Sequence, residues 1–192
     1  MLGFRVFGFD PRARPGTSGH PDYLHRPQGQ GRWDNPVSYD TWYLATSAAG
    51  AIAEAFGNLS VFSEQMFDTP YLAGGRRALA VFSLPDDLRI LDLDDAANLL
   101  ALTMRPSQVV IRNLAYTQVR AQEIFDARDT AGARDWAGVG WWSFHRPVWH
   151  NLAIFVEPGT AAPLTLLRVD ELSLDSPWVA EAQRELARDV RR

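Results

Sequence analysis

The chain has 192 residues, 46% of them hydrophobic and 22% charged, which suits one globular domain and excludes a disordered or collagen-like chain. It has no Cys, so disulfides, thiolate nucleophiles and Cys-ligated metals are ruled out. The net charge is −4 and all 19 basic side chains are Arg, which removes Schiff-base and P-loop lysine chemistry and leaves no broad field for nucleic-acid phosphates.

Residues Met1 to Asp10 carry no basic segment followed by a long apolar run, so no signal peptide is expected. No stretch approaches the roughly 18 apolar residues of a membrane helix. The expected location is cytoplasmic, without membrane contact.

In chain order, the alternation from Phe4 to Phe9 predicts a first strand. A Pro-, Gly- and Arg-rich segment follows from Pro11 to Pro36, a length typical of a functional or a disordered loop. Thr41 to Thr46 predicts a second strand, and Ser47 caps a helix that Gly57 and Asn58 stop after Phe56. Further strands are expected at Ala78 to Leu84 and Leu88 to Leu93. Asp94 and Asp95 favour the start of a short helix through Leu102, and Pro106 breaks it. Arg112 to Arg128 reads as the longest helix. Gly138 to Phe144 and Leu152 to Val156 read as late strands, with Val148 to His150 between them or extending the second. Ser176 and Pro177 open a terminal helix over about residues 176–190. Strands and helices mix without regular alternation, which predicts an α+β fold in a single domain, residues 1–192.

Several side chains are candidates for chemistry. Arg32, between Gly31 and Trp33, has the fork geometry for phosphate or carboxylate, although a surface Arg stacked on Trp33 gives the same pattern. Glu54 lies away from the predicted core face of Ile52, Phe56 and Leu59. It shares its side with Gly50 and Ala51, where a ligand can come close; a solvated helix Glu reads identically. Tyr43 sits mid-strand. Ser143, in GWWSF, lacks a nucleophile elbow and reads as a satisfied strand Ser rather than a hydrolase nucleophile. His20, His25, His145 and His150 show no metal-ligand spacing, and Asp92, Asp94 and Asp95 fit a helix start better than a metal cluster.

Together these pieces resemble the RES domain family. The resemblance lies in FRV, GRW, WYLA with a later helix Glu, VFSLPDDLRILDL, YTQVRAQEIF, GVGWWSF and NLAIFVE, in that order, over about residues 4–156. The family takes its name from an Arg, a Glu and a Ser, onto which Arg32, Glu54 and Ser143 fall; Tyr43 falls on its strand tyrosine. The chain departs from the usual pattern at Gln30-Gly31 and at Asp34-Asn35-Pro36-Val37.

Membership implies a fold similar to ADP-ribosyltransferase toxins, with a split mixed sheet around an NAD cleft. It implies a toxin of a toxin–antitoxin pair that depletes NAD by cleaving the nicotinamide–ribose bond, with water or phosphate as acceptor and no metal. In that role Glu54 stabilises the charge developing on the ribose, Tyr43 stacks on nicotinamide, Arg32 grips the pyrophosphate and Ser143 orients the substrate. Arg5 is a second phosphate contact, and Trp33 belongs to the substrate-binding set. The implied partner is an antitoxin with a helical DNA-binding domain, and a homo-oligomer is compatible. An ADP-ribosyltransferase acting on a macromolecule, and a catalytically silent partner-binding module, are the alternative readings.

Overall fold

The computed structural model describes residues 1–192. Its strands are β1 (Leu2–Phe9), β2 (Asp40–Ala45), β3 (Val61–Ser63), β4 (Arg76–Ser83), β5 (Ile90–Asp92), β6 (Gly138–Trp142), β7 (His150–Val156), β8 (Thr165–Glu171) and β9 (Asp189–Arg191). Its α-helices are α1 (Ala48–Phe56), α2 (Ala96–Ala101), α3 (Pro106–Val110), α4 (Leu114–Asp126) and α5 (Pro177–Glu185). Seven strands form one mixed sheet in the order β5-β6-β7-β2-β1-β4-β8, in which only β5 and β6 run parallel; β3 and β9 form a separate parallel pair. The α+β class expected from the sequence is present.

The sheet is split between β1 and β2. β1 pairs with β4 along its whole length, from Leu2↔Ser83 to Phe9↔Arg76, and β2 pairs with β7 from Asp40↔Val156 to Ala45↔Asn151. Between themselves β1 and β2 share one register pair, Phe4↔Ala45. Beyond it the strands diverge, and their freed edge groups need other partners. The Gln28 amide supplies one set: its Nε2 donates to the Thr41 carbonyl and its Oε1 accepts from the Thr41 N–H, both at 2.7 Å.

Alternation along β1 feeds two cores. Phe4 and Val6 pack on the cluster under α1 and α5, while Phe7 joins Trp42, Leu44 and Phe82 on the other face. A third cluster, around Leu93, Ile124, Phe125 and Trp141, lies under α4. α1 is almost all small residues, and its Ala48 to Ala53 face is buried, so the helix backbone lies close on the sheet. Ser47 caps it as expected, its Oγ accepting from the Gly50 N–H at 3.1 Å. Ile52 is fully buried, which is worth about 1.5–3 kcal/mol.

Several expectations need correction. Leu59 lies beyond α1 and is 41% exposed, because the helix ends at Phe56 before its periodicity can carry Leu59 inward. Pro106 does not break α2, which ends at Ala101 with Thr103 in the left-handed region; it opens α3 instead, as the first-turn proline that a helix tolerates. The terminal helix stops at Glu185 and residues 189–191 form β9; Ser176 precedes that helix, but its Oγ accepts from the Ser173 N–H instead of capping. The strands β3, β8 and β9 were not anticipated. The long loop contains no helix or strand from Pro11 to Tyr39, yet hydrogen bonds tie it to both β1 and β2.

Candidate active site

A cavity of about 310 Å³ opens where β1 and β2 part, lined by Phe4, Arg5, Tyr43, Glu54, Trp141 and Asn151 among others. Strand register explains the convergence. Ala45, Asn151 and Trp141 are cross-strand neighbours in successive strands β2, β7 and β6, so they share one face. α1 follows β2 directly and lays Glu54 over that row.

Glu54 is held by two buried donors. Ser143 Oγ donates to Glu54 Oε1 at 2.6 Å, and Asn151 Nδ2 donates to the same oxygen at 2.8 Å. Ser143 is fully buried and Asn151 nearly so, while Glu54 itself is exposed. One oxygen is therefore saturated and fixed, and Oε2 is left free to meet a ligand. Ser143 Oγ also accepts the His145 N–H at 3.1 Å, which sets the direction of its own proton. The expectation placed Ser143 on the substrate. In the structure its hydroxyl donates to Glu54.

Tyr43 lines the cavity with its ring, edge-on to Trp141 at 6.3 Å between centroids. Its hydroxyl donates to Asp34 Oδ1 at 2.8 Å and accepts the Trp33 N–H at 3.0 Å. Burial, and then the Asp34 charge, push the Tyr43 hydroxyl well above the usual tyrosine range, so the neutral phenol is the resident form. Asp34 Oδ2 accepts the N–H groups of Gly29 and Gly31 at 2.8 and 2.7 Å. Gln118 Nε2, on α4, donates to the carbonyls of the same two glycines at 3.0 Å. A Cβ on Gly31 would stand 2.2 Å from the Tyr43 oxygen, so only glycine allows this approach.

Arg32 projects from this fixed loop. Its only hydrogen bond is a long one, Nη1 to the Val110 carbonyl at 3.5 Å, and its buried Nε has no partner. Burial lowers its pKa from the ordinary arginine value, while the nearby charge of Glu54 works in the opposite direction. It has no carboxylate within ion-pair distance. The result is a half-buried cation beside the cavity with its donors unspent, as an anion site requires.

Arg5 lies at the split itself. Its Nη1 donates to the Tyr23 carbonyl at 3.1 Å, and its guanidinium lies 5.0 Å from the Trp42 ring centroid. Burial brings its pKa down to about 10, so it remains charged at neutral pH, again with no carboxylate partner. Trp33 does not line the cavity. It is fully buried against Trp141, at 5.7 Å between ring centroids, and supports the loop from behind.

The structure thus brings Glu54, Tyr43 and Arg5 to one cavity, sets Arg32 beside it, and places Ser143 and Trp33 in supporting positions. Sequence reasoning missed Asn151 and Asp34. The first had a signal, a lone amide opening the apolar run LAIFV; the second had one too, an Asp after two closely spaced glycines.

No group of three or more His, Asp or Glu side chains gathers in a metal-binding arrangement, and no helix is long and apolar enough to cross a membrane. Among curated proteins no sequence matches this one. The fold is similar to that of a chain in the crystal structure of the M. tuberculosis MbcT–MbcA toxin–antitoxin complex, with a TM-score of 0.61 and 17% sequence identity over 97% of this chain and 88% of that one. The sequence also matches the RES domain over residues 4–178, past the Val156 to which the motifs reach. With that match spanning nearly all of its length and the split-sheet fold around Glu54, the chain belongs to the RES domain family.

Proposed function

We propose that this protein is a toxin that depletes NAD by cleaving its nicotinamide–ribose bond. The observation that carries the reading is the state of Glu54: one carboxylate oxygen pinned by Ser143 and Asn151, the other free in a cavity bordered by an aromatic ring and unpaired arginines. A nucleotide dianion and a cationic ring are the ligand features that this combination serves.

Nicotinamide in NAD is already cationic, so its departure needs little acid help. The C1′–N bond breaks with its electron pair going to the ring, which leaves neutral. Positive charge then builds on the ribose, and a fixed carboxylate beside it stabilises that charge without reorganising. Glu54 supplies this carboxylate. Tyr43, neutral and held by Asp34, offers its ring to the nicotinamide. Arg32 and Arg5 take the pyrophosphate, which resolves why two half-buried guanidinium groups lack carboxylate partners. Water or phosphate then forms the new C1′–O bond and loses a proton to solvent.

The solved toxin–antitoxin complex with the same fold supports a toxin role with a protein partner. We assign that partner as an antitoxin with a helical DNA-binding domain that covers the cleft, and the cytoplasm, where NAD is abundant, as the site of action.

The deciding experiment is to incubate the purified protein with NAD, with and without phosphate, and follow nicotinamide by chromatography beside Glu54→Gln. The expected result is release that depends on Glu54, with ADP-ribose or its phosphorylated form as second product. Nicotinamide release at the same rate in Glu54→Gln, or none by the wild type, overturns the reading. Label fixed stably to a protein would instead assign the cleft to macromolecular ADP-ribosyl transfer.

A further inference from the structure

A second cavity, of about 450 Å³, adjoins the first on the far side of Arg5 and shares Arg5 and Val6 with it. Its other walls come from the unpaired edge of β1, from the loop around His20 and Tyr23, and from Tyr71 and Arg77. Gly8 makes room for this wall, since a Cβ there would lie 2.8 Å from the Tyr71 hydroxyl.

Arg77 is the unusual member. Its Nε is buried without a partner, its guanidinium donates no hydrogen bond, and no carboxylate lies within ion-pair distance. Its guanidinium lies 5.5 Å from the centroid of the Tyr71 ring. Other arginines with a buried Nε satisfy their remaining donors elsewhere: Arg120 on Glu123, Arg134 on Glu157, Arg188 on the Gly57 carbonyl. Arg32 and Arg77 stand apart from them, and they lie at the two cavities that meet at Arg5. No Asp or Glu is among the residues that line this cavity, and Asp22, which bonds the lining His20, also accepts the Gly16 N–H. Arg5 and Arg77 therefore leave a net cationic pocket with aromatic walls.

The first cavity, at 310 Å³, lies at the small end of the ligand-pocket range of about 300–1,000 Å³ and suits half of a dinucleotide better than the whole. We propose that the second cavity seats the adenosine end and that Arg77 binds a phosphate monoester there, the 2′-phosphate of NADP. This rests on the NAD reading for the position of Glu54, and it goes beyond it by assigning a phosphate-monoester subsite. Tyr23 and Tyr71 provide aromatic surface for the base, Arg5 lies at the junction where the pyrophosphate must pass, and Arg77 meets the additional dianion with unspent donors.

The test uses ligands that lack nicotinamide, so it does not depend on cleavage. Adenosine 2′,5′-bisphosphate, AMP and inorganic phosphate are titrated by calorimetry into the full chain and into Arg77→Gln and Arg77→Lys. A charge-assisted contact to the 2′-phosphate should make the bisphosphate bind about tenfold more tightly than AMP, or better. Arg77→Gln should collapse that ratio towards one, and Arg77→Lys should restore part of it, with circular dichroism unchanged. Equal affinities for bisphosphate and AMP in the wild type, or a preference that survives Arg77→Gln, overturns the proposal. Binding of free phosphate that depends on Arg77, with no gain of bisphosphate over AMP, also overturns it and assigns the pocket to the free ion. Loss of the NAD reading would show separately, as absent nicotinamide release.

Discussion

The Tyr43 hydroxyl donates to Asp34 Oδ1 at 2.8 Å, joining the middle of β2 to the loop that carries Arg32. Asp34 in turn gathers the N–H groups of Gly29 and Gly31 on its second oxygen. A strand residue that lines the cavity thereby fixes the position of a cation that flanks it. The ring of Tyr43 and its hydroxyl have separate tasks, and substitutions can separate them.

Tyr43→Phe keeps the ring and removes the hydroxyl. It leaves the Trp33 N–H without its acceptor and Asp34 without one of its donors, which should cost about 1–3 kcal/mol of folding stability. If the Arg32 loop depends on this tie, the variant should also raise the KM for NAD more than it lowers kcat. Urea unfolding and steady-state kinetics on the same preparation check both parts. An unchanged KM alongside reduced stability would limit the hydroxyl to a purely structural role.

Gly31→Ala attacks the same tie from the other side. The added Cβ would stand 2.2 Å from the Tyr43 oxygen and 2.8 Å from Asp34 Oδ1, so the loop must move away from β2. Overpacking of this kind costs roughly 1–3 kcal/mol. The double variant Gly31→Ala/Tyr43→Phe relieves part of the clash and should lose less than the sum of the two single changes. Strict additivity in a double-mutant cycle would show that the residues do not meet in solution.

Much of this arrangement was legible in the sequence, and the rest was hidden for identifiable reasons. Glu54 could be placed away from the buried Ile52 face because helix periodicity is local, and Arg32 stood out between glycine and tryptophan. What Ser143 does was not legible. Its contact with Glu54 spans 89 residues and depends on how β6 and β7 sit beside α1. Asn151 was hidden for the same reason, since it faces Glu54 only through the register Ala45↔Asn151. Edge strand β8 escaped notice because its residues, exposed at Thr165 to Arg168, lack the alternation that marks a half-buried strand. β3 and β9 are three residues each, too short to carry any period. The split between β1 and β2 is a tertiary feature, visible only as the single pair Phe4↔Ala45.

The Glu54 clamp gives a graded series. Glu54→Gln should fold and lose about 10²–10³ in kcat, the usual loss when one charge-stabilising group is removed. Ser143→Ala and Asn151→Ala each leave one donor on Oε1 and should fall between wild type and Glu54→Gln, with kcat affected and KM little changed. Ser143→Ala/Asn151→Ala frees the carboxylate and should approach the Glu54→Gln rate. If the double variant retains wild-type kcat, the orientation of Glu54 is irrelevant to the reaction.

Arg32 and Glu54 should separate binding from chemistry. Arg32→Ala removes unspent donors at the cavity edge, so NAD affinity should drop by more than tenfold, about the worth of a hydrogen bond to a charged group. Glu54→Gln should bind NAD far better than Arg32→Ala does, because the proposed role of the replaced carboxylate is to act on the charge that forms as the bond breaks. Calorimetric titration of NAD into both variants checks this, and equal affinities would remove the assigned division of roles.

Alkaline pH should expose the buried phenol. Tyr43 holds its proton in the fold well above the ordinary tyrosine pKa of 10.0, because burial and the Asp34 charge disfavour phenolate. In the unfolded chain the same group ionises near 10. Above that pH the unfolded state binds fewer protons than the native one, so stability falls as pH rises. Below pH 10 the contribution is fully present, and it disappears as pH climbs through the raised native value. Tyr39, also raised by burial, adds to the same slope, whereas Arg5, lowered to about 10, opposes it. Comparison with Tyr43→Phe isolates the one group: unfolding free energy measured from pH 8 to 11 should decline less steeply above pH 10 in the variant. Parallel declines would mean that the Tyr43 hydroxyl is solvated and not held against Asp34.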